Sequence, residues 1–384
     1  MAAAKWVASS DASQKIVVAS LFDSVPEPAA DLVAWHRWMC VDLAAKRADA
    51  LLEEYRTPAA ALGAGSDALK RFGCSEGELR RVAELGPLSD EELALLRDPD
   101  VSIINNRSPA YPHLLRQAAG VPSAYYCRGI APEPDSLQVA IAGTRRASPT
   151  GLAAAEYFAR ELARLGVTIV TGGSHGIEAM ALRAATDAGG QCVVILPGGP
   201  DSTYPEDHWR LFRNVTERGA VLSQFPMGLR PLSGNFARRN RFIAAMSAAV
   251  LVVEAPRGSG SLTVANFANE DGRQVFVVPG PYNAPSFEGN HDLARLGATL
   301  VTTPYQILDD LGQPYDKEPK QQQDVELSAQ KEKILAAVGA APRRLDELVR
   351  LVGLPAPQIA ADLTDLEISG RLRRAAGGAF CLRS

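Results

Sequence analysis

The sequence has no run of about 18 apolar residues, the length a bilayer-spanning helix requires. The N-terminus, where Lys5 and Trp6 precede Ser9, Ser10 and Asp11, carries no apolar stretch of the signal-peptide kind. A membrane location is therefore not expected, and the cytoplasm is the expected compartment. Cysteine is scarce: Cys40, Cys74, Cys127, Cys192 and Cys381 lie far apart with no CxxC pair. That spacing indicates neither a zinc site nor a disulfide framework and suggests small core residues. HExxH, GxSxG, Walker A and close Cys/His constellations are also missing, so nothing supplies a nucleophile with its base. A metal, a cofactor and catalysis are all unexpected.

What is present is enough chain for two or three domains: 384 residues, 46% of them hydrophobic. The formal net charge of −4 argues against indiscriminate polyanion binding. The mean hides a local excess, because five arginines (Arg230, Arg238, Arg239, Arg241, Arg257) face one acid, Glu254, between positions 230 and 257.

Residues 1–105 read as a small helical domain, with apolar residues at three- and four-residue spacing between Ala30 and Tyr55. Residues 106–311 alternate short apolar runs with helical stretches at βα spacing: 138–143, 167–173, 192–199, 220–223, 249–255, 274–280 and 298–302. Continuous apolar strands are buried on both faces, which implies a parallel sheet with helices on each side. Residues 312–327 are nearly devoid of apolar side chains and read as a solvated linker. Residues 328–384 show three short helices and then a hairpin, a winged-helix pattern.

Ligands of such sheets bind beyond the carboxyl ends of the strands, so the small-residue loops there are the candidate site. Gly143, Thr144 and Arg145 follow the first core strand and outline a phosphate-binding turn. Gly173, Ser174, His175 and Gly176 form a second glycine turn with accessible N–H groups. Arg238, Arg239, Asn240 and Arg241 follow a glycine-containing loop and are expected at a helix N-terminus, with Arg239 at or before the cap and Arg241 in the first turn. Gly258, Ser259, Gly260 and Ser261 read as a further anion-binding nest or else as a flexible loop. Tyr204, Phe225, Phe236, Phe242 and Phe287 are the aromatics near these loops that suit base stacking.

In order, VAIAGTRRAS (139–148), TGGSHGIEAMA (171–181), LPGGPDSTYPEDH (196–208), FARRNRFIAAMS (236–247), VVEAPRGSGSLTVA (252–265) and VVPGPYNAPSFEGN (277–290) resemble the DNA-processing protein A (DprA/Smf) family. The resemblance spans about Tyr111 to Leu311 and is weaker at both ends. It implies an α/β fold: a Rossmann-like core, an N-terminal helical domain of SAM-like or helix-hairpin-helix-like type, and a C-terminal winged-helix-like domain. It further implies a homodimer that binds single-stranded DNA, protects incoming DNA during natural transformation and helps load the RecA recombinase. His175, Glu178, Leu182, Gln224 and His291 depart from the family pattern. The alternative is a nucleotide phosphoribohydrolase on a related sheet, but neither Pro197-Gly198-Gly199 nor the Gly258 loop is followed by the carboxylate of its PGGxGTxxE motif. An NAD-dependent oxidoreductase would need GxGxxG after the first strand, which is missing.

Overall fold

The computed structural model describes residues 28–315, 329–339, 342–368, 371–374 and 378–382. They form two compact units, one ending at Tyr315 and one beginning at Asp316. The linker expected over 312–327 lies, from 316 onward, outside the described residues.

The described part of the first unit opens with six helices: α1 (Ala30–Val41), α2 (Ala45–Tyr55), α3 (Pro58–Leu62), α4 (Ser66–Arg71), α5 (Glu76–Ala83) and α6 (Asp90–Arg97). Ser75 and Ser89 start α5 and α6 with capping boxes, each closed by a glutamate three residues on (Glu78, Glu92). Then come β1 (Val101–Asn105), α7 (His113–Gln117), β2 (Ala124–Gly129) and β3 (Gln138–Ala142). The alternating layers follow: α8 (Pro149–Arg164), β4 (Thr168–Thr171), α9 (Ile177–Asp187), β5 (Cys192–Ile195), α10 (Trp209–Thr216) and β6 (Ala220–Ser223). The unit closes with α11 (Ser233–Met246), β7 (Ala249–Val252), α12 (Leu262–Glu270), β8 (Gln274–Val277), α13 (Glu288–Arg295), β9 (Thr299–Leu300) and α14 (Pro304–Asp310).

The sheet order is β1-β2-β6-β5-β4-β3-β7-β8-β9. Strands β3 to β9 pair in parallel, and β2 joins β6, and β1 joins β2, antiparallel. All seven apolar runs read from the sequence are strands. The antiparallel flank was not anticipated, because β1 and β2 alternate less clearly and sit beside helical patterns.

Strand residues alternate between two cores, as a period of two requires. Val139, Ile141, Ile169, Val194, Leu251 and Phe276 pack with Phe158, Leu162 and Phe212 on one face. Ala140, Ala142, Val170, Val193, Val250 and Val275 pack with Phe242, Ile243 and Met246 on the other. The N-terminal helices form a third core around Trp35, Trp38, Leu51 and Leu52, which includes Ala124 and Tyr126 of β2. Four cysteines are buried and Cys40 is partly exposed. Among the described residues no helix is long and apolar enough to cross a membrane.

The second unit contains α15 (Ala329–Val338), α16 (Leu345–Val352), α17 (Ala356–Ile368) and the antiparallel pair β10 (Leu372–Arg374) and β11 (Phe380–Leu382). Ile334, Leu348, Ile359, Leu363, Leu366 and Phe380 fill its core. Three helices and a hairpin is the winged-helix order expected from the sequence.

Candidate nucleic-acid interface

Strands wind outward from β3 through β4, β5 and β6 in one direction and from β7 through β9 in the other. Between β3 and β7 the order reverses, and in such sheets a crevice opens beyond the carboxyl ends at this point. A cleft of about 510 Å³ lies there, lined by Gly143, Thr144, Arg145, Arg146, Ser174, Glu178, Phe236, Arg239, Asn240, Ser259, Gly260 and Ser261. Loops expected on separate grounds thus meet in one place.

Two glycine turns build the floor by touching. A Cβ on Gly143 would overlap the Ile177 side chain, and one on Gly176, at φ +74°, would overlap the carbonyl of Thr144. Ile177 N–H donates to that carbonyl at 3.2 Å. Any side chain at either glycine would part the loops. Behind them Glu254 is fully buried, and its Oε2 accepts from Ser148 N–H at 2.9 Å and Ser148 Oγ at 3.0 Å. Ser148 Oγ in turn caps α8 by accepting from Gly151 N–H. A carboxylate at a helix N-terminus is electrostatically favourable.

Arg239 sits at the centre. Its side chain is 6% exposed and lies 3.9 Å from Glu178, too far for a hydrogen bond. Its guanidinium stands 5.5 Å from the Phe236 ring centroid. Burial pushes it below its ordinary pKa, Glu178 opposes that shift, and Arg145 adds to it. No hydrogen bond to this guanidinium occurs among the described residues, and its Nε is buried without a partner. Asn240, next along α11, gives its amide to Gly260 O at 3.1 Å and Thr263 Oγ1 at 2.5 Å, while its Oδ1 is unpartnered. Glu178 is positioned by Ser174 N–H, which donates to it at 2.8 Å.

At the mouth, Arg145 and Arg146 are exposed, and neither pairs with an acid among the described residues. The Arg145 guanidinium lies 5.5 Å from the Phe236 ring and 6.0 Å from the Tyr204 ring. The two rings meet edge-on at 5.5 Å. Of the five aromatics named from sequence, Phe225, Phe242 and Phe287 are core residues, leaving Tyr204 and Phe236 at the cleft.

The expected helix N-terminus for Arg238 to Arg241 is not where the chain begins its turn. Helix α11 starts at Ser233, so Arg239 is its seventh residue and Arg241 its ninth. The reason is the inward face of its first half. Asn235, Arg239 and Asn240 recur at helical spacing and are buried, but they are polar, so apolar periodicity begins only at Phe242. Two residues two apart on a helix diverge by about 200°. Arg239 therefore faces the cleft, while Arg241 turns away to pair bidentately with Asp271 at 2.6 and 2.7 Å and to donate to Ala119 O. Arg238 pairs with Asp42 at 2.7 and 3.0 Å, and Arg257 with Asp292 at 2.8 and 3.0 Å. The local basic excess is thus largely neutralised by partners from distant segments.

Gly173, His175, Gly176 and Gly258 lie outside the cleft lining. Gly173 packs against Phe212, and its carbonyl lies 2.8 Å from Nδ1 of His208. Burial pushes His208 below its ordinary pKa. His175 is half-exposed beside Asp207 at 3.5 Å. Sequence reading missed Gly172, Glu178 and Arg146 as site residues. Arg146 is signalled by its adjacency to Arg145, whereas nothing local marks Gly172 or Glu178.

The model of the DNA recombination-mediator protein A family matches residues 102–312, more than half of the chain. The chain belongs to that family. A DprA winged helix domain matches residues 318–378. Protein Smf of Escherichia coli is 36% identical over 304 residues, covering 77% of this chain and 81% of the relative. DNA processing protein DprA of Streptococcus pneumoniae is 30% identical over 270 residues, covering 62% and 95%. The X-ray structure of the Streptococcus pneumoniae protein superposes with a TM-score of 0.62 at 27% identity, covering 73% of this chain and 97% of that one. DNA processing protein A of Helicobacter pylori, whose structure concerns its unique single-stranded DNA binding mode, gives a TM-score of 0.51 at 28% identity, covering 56% and 97%. The cleft falls within the part of the chain that the family model matches.

Proposed function

We propose that this chain binds single-stranded DNA in the cleft between the β3, β4 and β7 loops, by phosphate contact and base stacking and without catalysis. The observation that carries this reading is the buried Arg239 guanidinium. A buried cation without hydrogen bonds is costly, and a phosphate oxygen at the cleft would supply the missing acceptor. Arg145 and Arg146 meet neighbouring phosphates from the mouth, and N–H groups of the 143–146 and 259–261 loops complete the anion contacts. Tyr204 and Phe236 offer faces on which unpaired bases stack, which a duplex does not present. Sequence preference is accordingly weak.

Within the DNA-processing role of its family, the chain is read as a cytoplasmic homodimer that shields incoming single strands and assists RecA loading. The helical, Rossmann-like and winged-helix segments divide at 105, 311 and 327. The Helicobacter pylori relative's single-stranded DNA binding mode supports the ligand class.

The test compares oligo-dT with duplex of equal length by fluorescence anisotropy, alongside a nucleotide-hydrolysis assay on the same preparation. Preferential binding of oligo-dT with no hydrolysis is expected. Hydrolysis without strand binding would overturn the reading in favour of a phosphoribohydrolase. RecA nucleation on a strand coated with single-strand binding protein, with and without this chain, tests the loading step.

A further inference from the structure

On the N-terminal helices, away from the cleft, three side chains of different chemistry converge. His36 and Cys40 lie one turn apart on α1, and Glu92 reaches them from the first turn of α6. His36 Nε2 is 3.0 Å from Glu92 Oε1, Cys40 Sγ is 3.6 Å from His36 Nε2, and Cys40 Sγ is 4.0 Å from Glu92 Oε1. A tetrahedral zinc ion with ordinary bond lengths of about 2.3 Å to sulfur, about 2.05 Å to nitrogen and about 2.1 Å to oxygen sets these edges at roughly 3.4, 3.6 and 3.6 Å. The three donors match those edges to within about 0.4 Å.

The surroundings are those of a metal site. Tyr126 Oη lies 2.8 Å from His36 Nδ1, fixing the ring from its far side, as a second partner does for a metal-bound histidine. The other carboxylate oxygen of Glu92 accepts from Ser89 N–H at 2.7 Å, which fixes the carboxylate. His36 is fully buried, whereas Glu92 is 26% exposed at its side chain and Cys40 is partly exposed, so solvent reaches one side.

We propose that His36, Cys40 and Glu92 bind a zinc ion, with water in the fourth position. On binding, the Cys40 thiol proton leaves to solvent. The imidazole proton moves from Nε2 to Nδ1 and stays there, donating a hydrogen bond to Tyr126 Oη, whose own hydroxyl hydrogen rotates off the ring. Thiolate and carboxylate then balance the two positive charges of the ion. The site joins α1 to α6 and, through Tyr126, to β2. Residue spacing hides it, because one ligand pair is four apart and the third ligand lies 52 residues beyond Cys40.

The experiment uses the tag-free full chain, stripped with chelator and titrated with cobalt chloride. A single equivalent is expected to give a near-ultraviolet thiolate-to-cobalt band with the intense visible bands of a four-coordinate ion, all displaced by zinc chloride. Cys40→Ser removes the near-ultraviolet band. Glu92→Gln, which leaves α1 untouched, lowers zinc affinity by about tenfold or more. The proposal is overturned if no cobalt binds, if binding lacks the thiolate band, or if the band survives Cys40→Ser. Loss of the cobalt on His175→Ala would also overturn it, by placing the ion on His175, Asp207 and His208, whose ligand atoms lie within 4.8 Å of one another.

Discussion

The Arg239 guanidinium occupies the space that a Cβ on Gly172 would need. Gly172 has no positive φ, and the three atoms nearest to such a Cβ all belong to that side chain. Gly172→Ala is expected to leave the protein folded and to lower affinity for oligo-dT by about tenfold, with a salt slope smaller by about 0.7 for one lost phosphate contact. Anisotropy titrations across salt concentrations, with circular dichroism as the fold control, check this. Unchanged binding in a folded variant would remove Arg239 from the DNA path.

An acidic partner at hydrogen-bond distance, rather than exposure, separates the arginines that hold the fold from those proposed to hold phosphate. Arg145→Ala with Arg146→Ala is expected to lower the salt slope by about 1.4 and leave the unfolding midpoint unmoved. Arg241→Ala should do the reverse. Its side chain and that of Asp271 are 12% and 9% exposed, and breaking such a pair costs about 3 kcal/mol. Urea unfolding and the salt series on the same samples distinguish the two classes. A salt-slope loss for Arg241→Ala in the folded state would contradict the assignment.

The proposed stacking at the mouth makes a different demand on the ligand. Tyr204→Leu keeps bulk but loses the ring, and is expected to weaken oligo-dT binding by about 1 kcal/mol or more. On an abasic strand of equal charge the variant and the parent protein should bind alike. An equal loss on both strands would show that Tyr204 acts on the backbone or on Arg145.

Acid stability reports on Glu78. Burial alone would raise its carboxyl, but hydrogen bonds from Arg47, Ser75 and Ala44 outweigh burial and lower it from 4.5 to about 2. The folded state therefore binds fewer protons than the unfolded state between these values, so stability rises with pH across that window. The contribution is complete above about 4.5 and is lost as pH falls toward about 2. Urea midpoints measured down that range should fall less steeply for Glu78→Gln than for the parent protein. Identical slopes would mean that Glu78 does not carry the effect.

The central sheet was legible because its strands are buried on both faces and so read as uninterrupted apolar runs. The loops beyond them were legible because close backbone approach leaves glycine, serine and threonine. Helix α11 was misplaced by about two turns because its cleft-facing half buries Asn235, Arg239 and Asn240 instead of apolar residues. The pairings of Arg238, Arg241 and Arg257 with Asp42, Asp271 and Asp292 were invisible for another reason: two of those acids lie 30 or more residues away and the third 196. Local charge counts cannot register a partner brought in by topology.

The antiparallel flank has a consequence for the order in which the chain acquires structure. Strand β2 borders β6, and Tyr126 pairs in register with Ser223, almost a hundred residues later. The core of the N-terminal helices extends onto β2 and is packed in part by Met227. During synthesis those helices emerge first, yet the surface that completes their core is not yet made. Until β6 leaves the ribosome, β2 presents an open hydrogen-bonding edge and an uncovered apolar face. Such long-range closure is slow, and its exposed intermediates are prone to association. The nascent amino-terminal third is thus left with an open strand edge and an incomplete core until β6 and Met227 have been made.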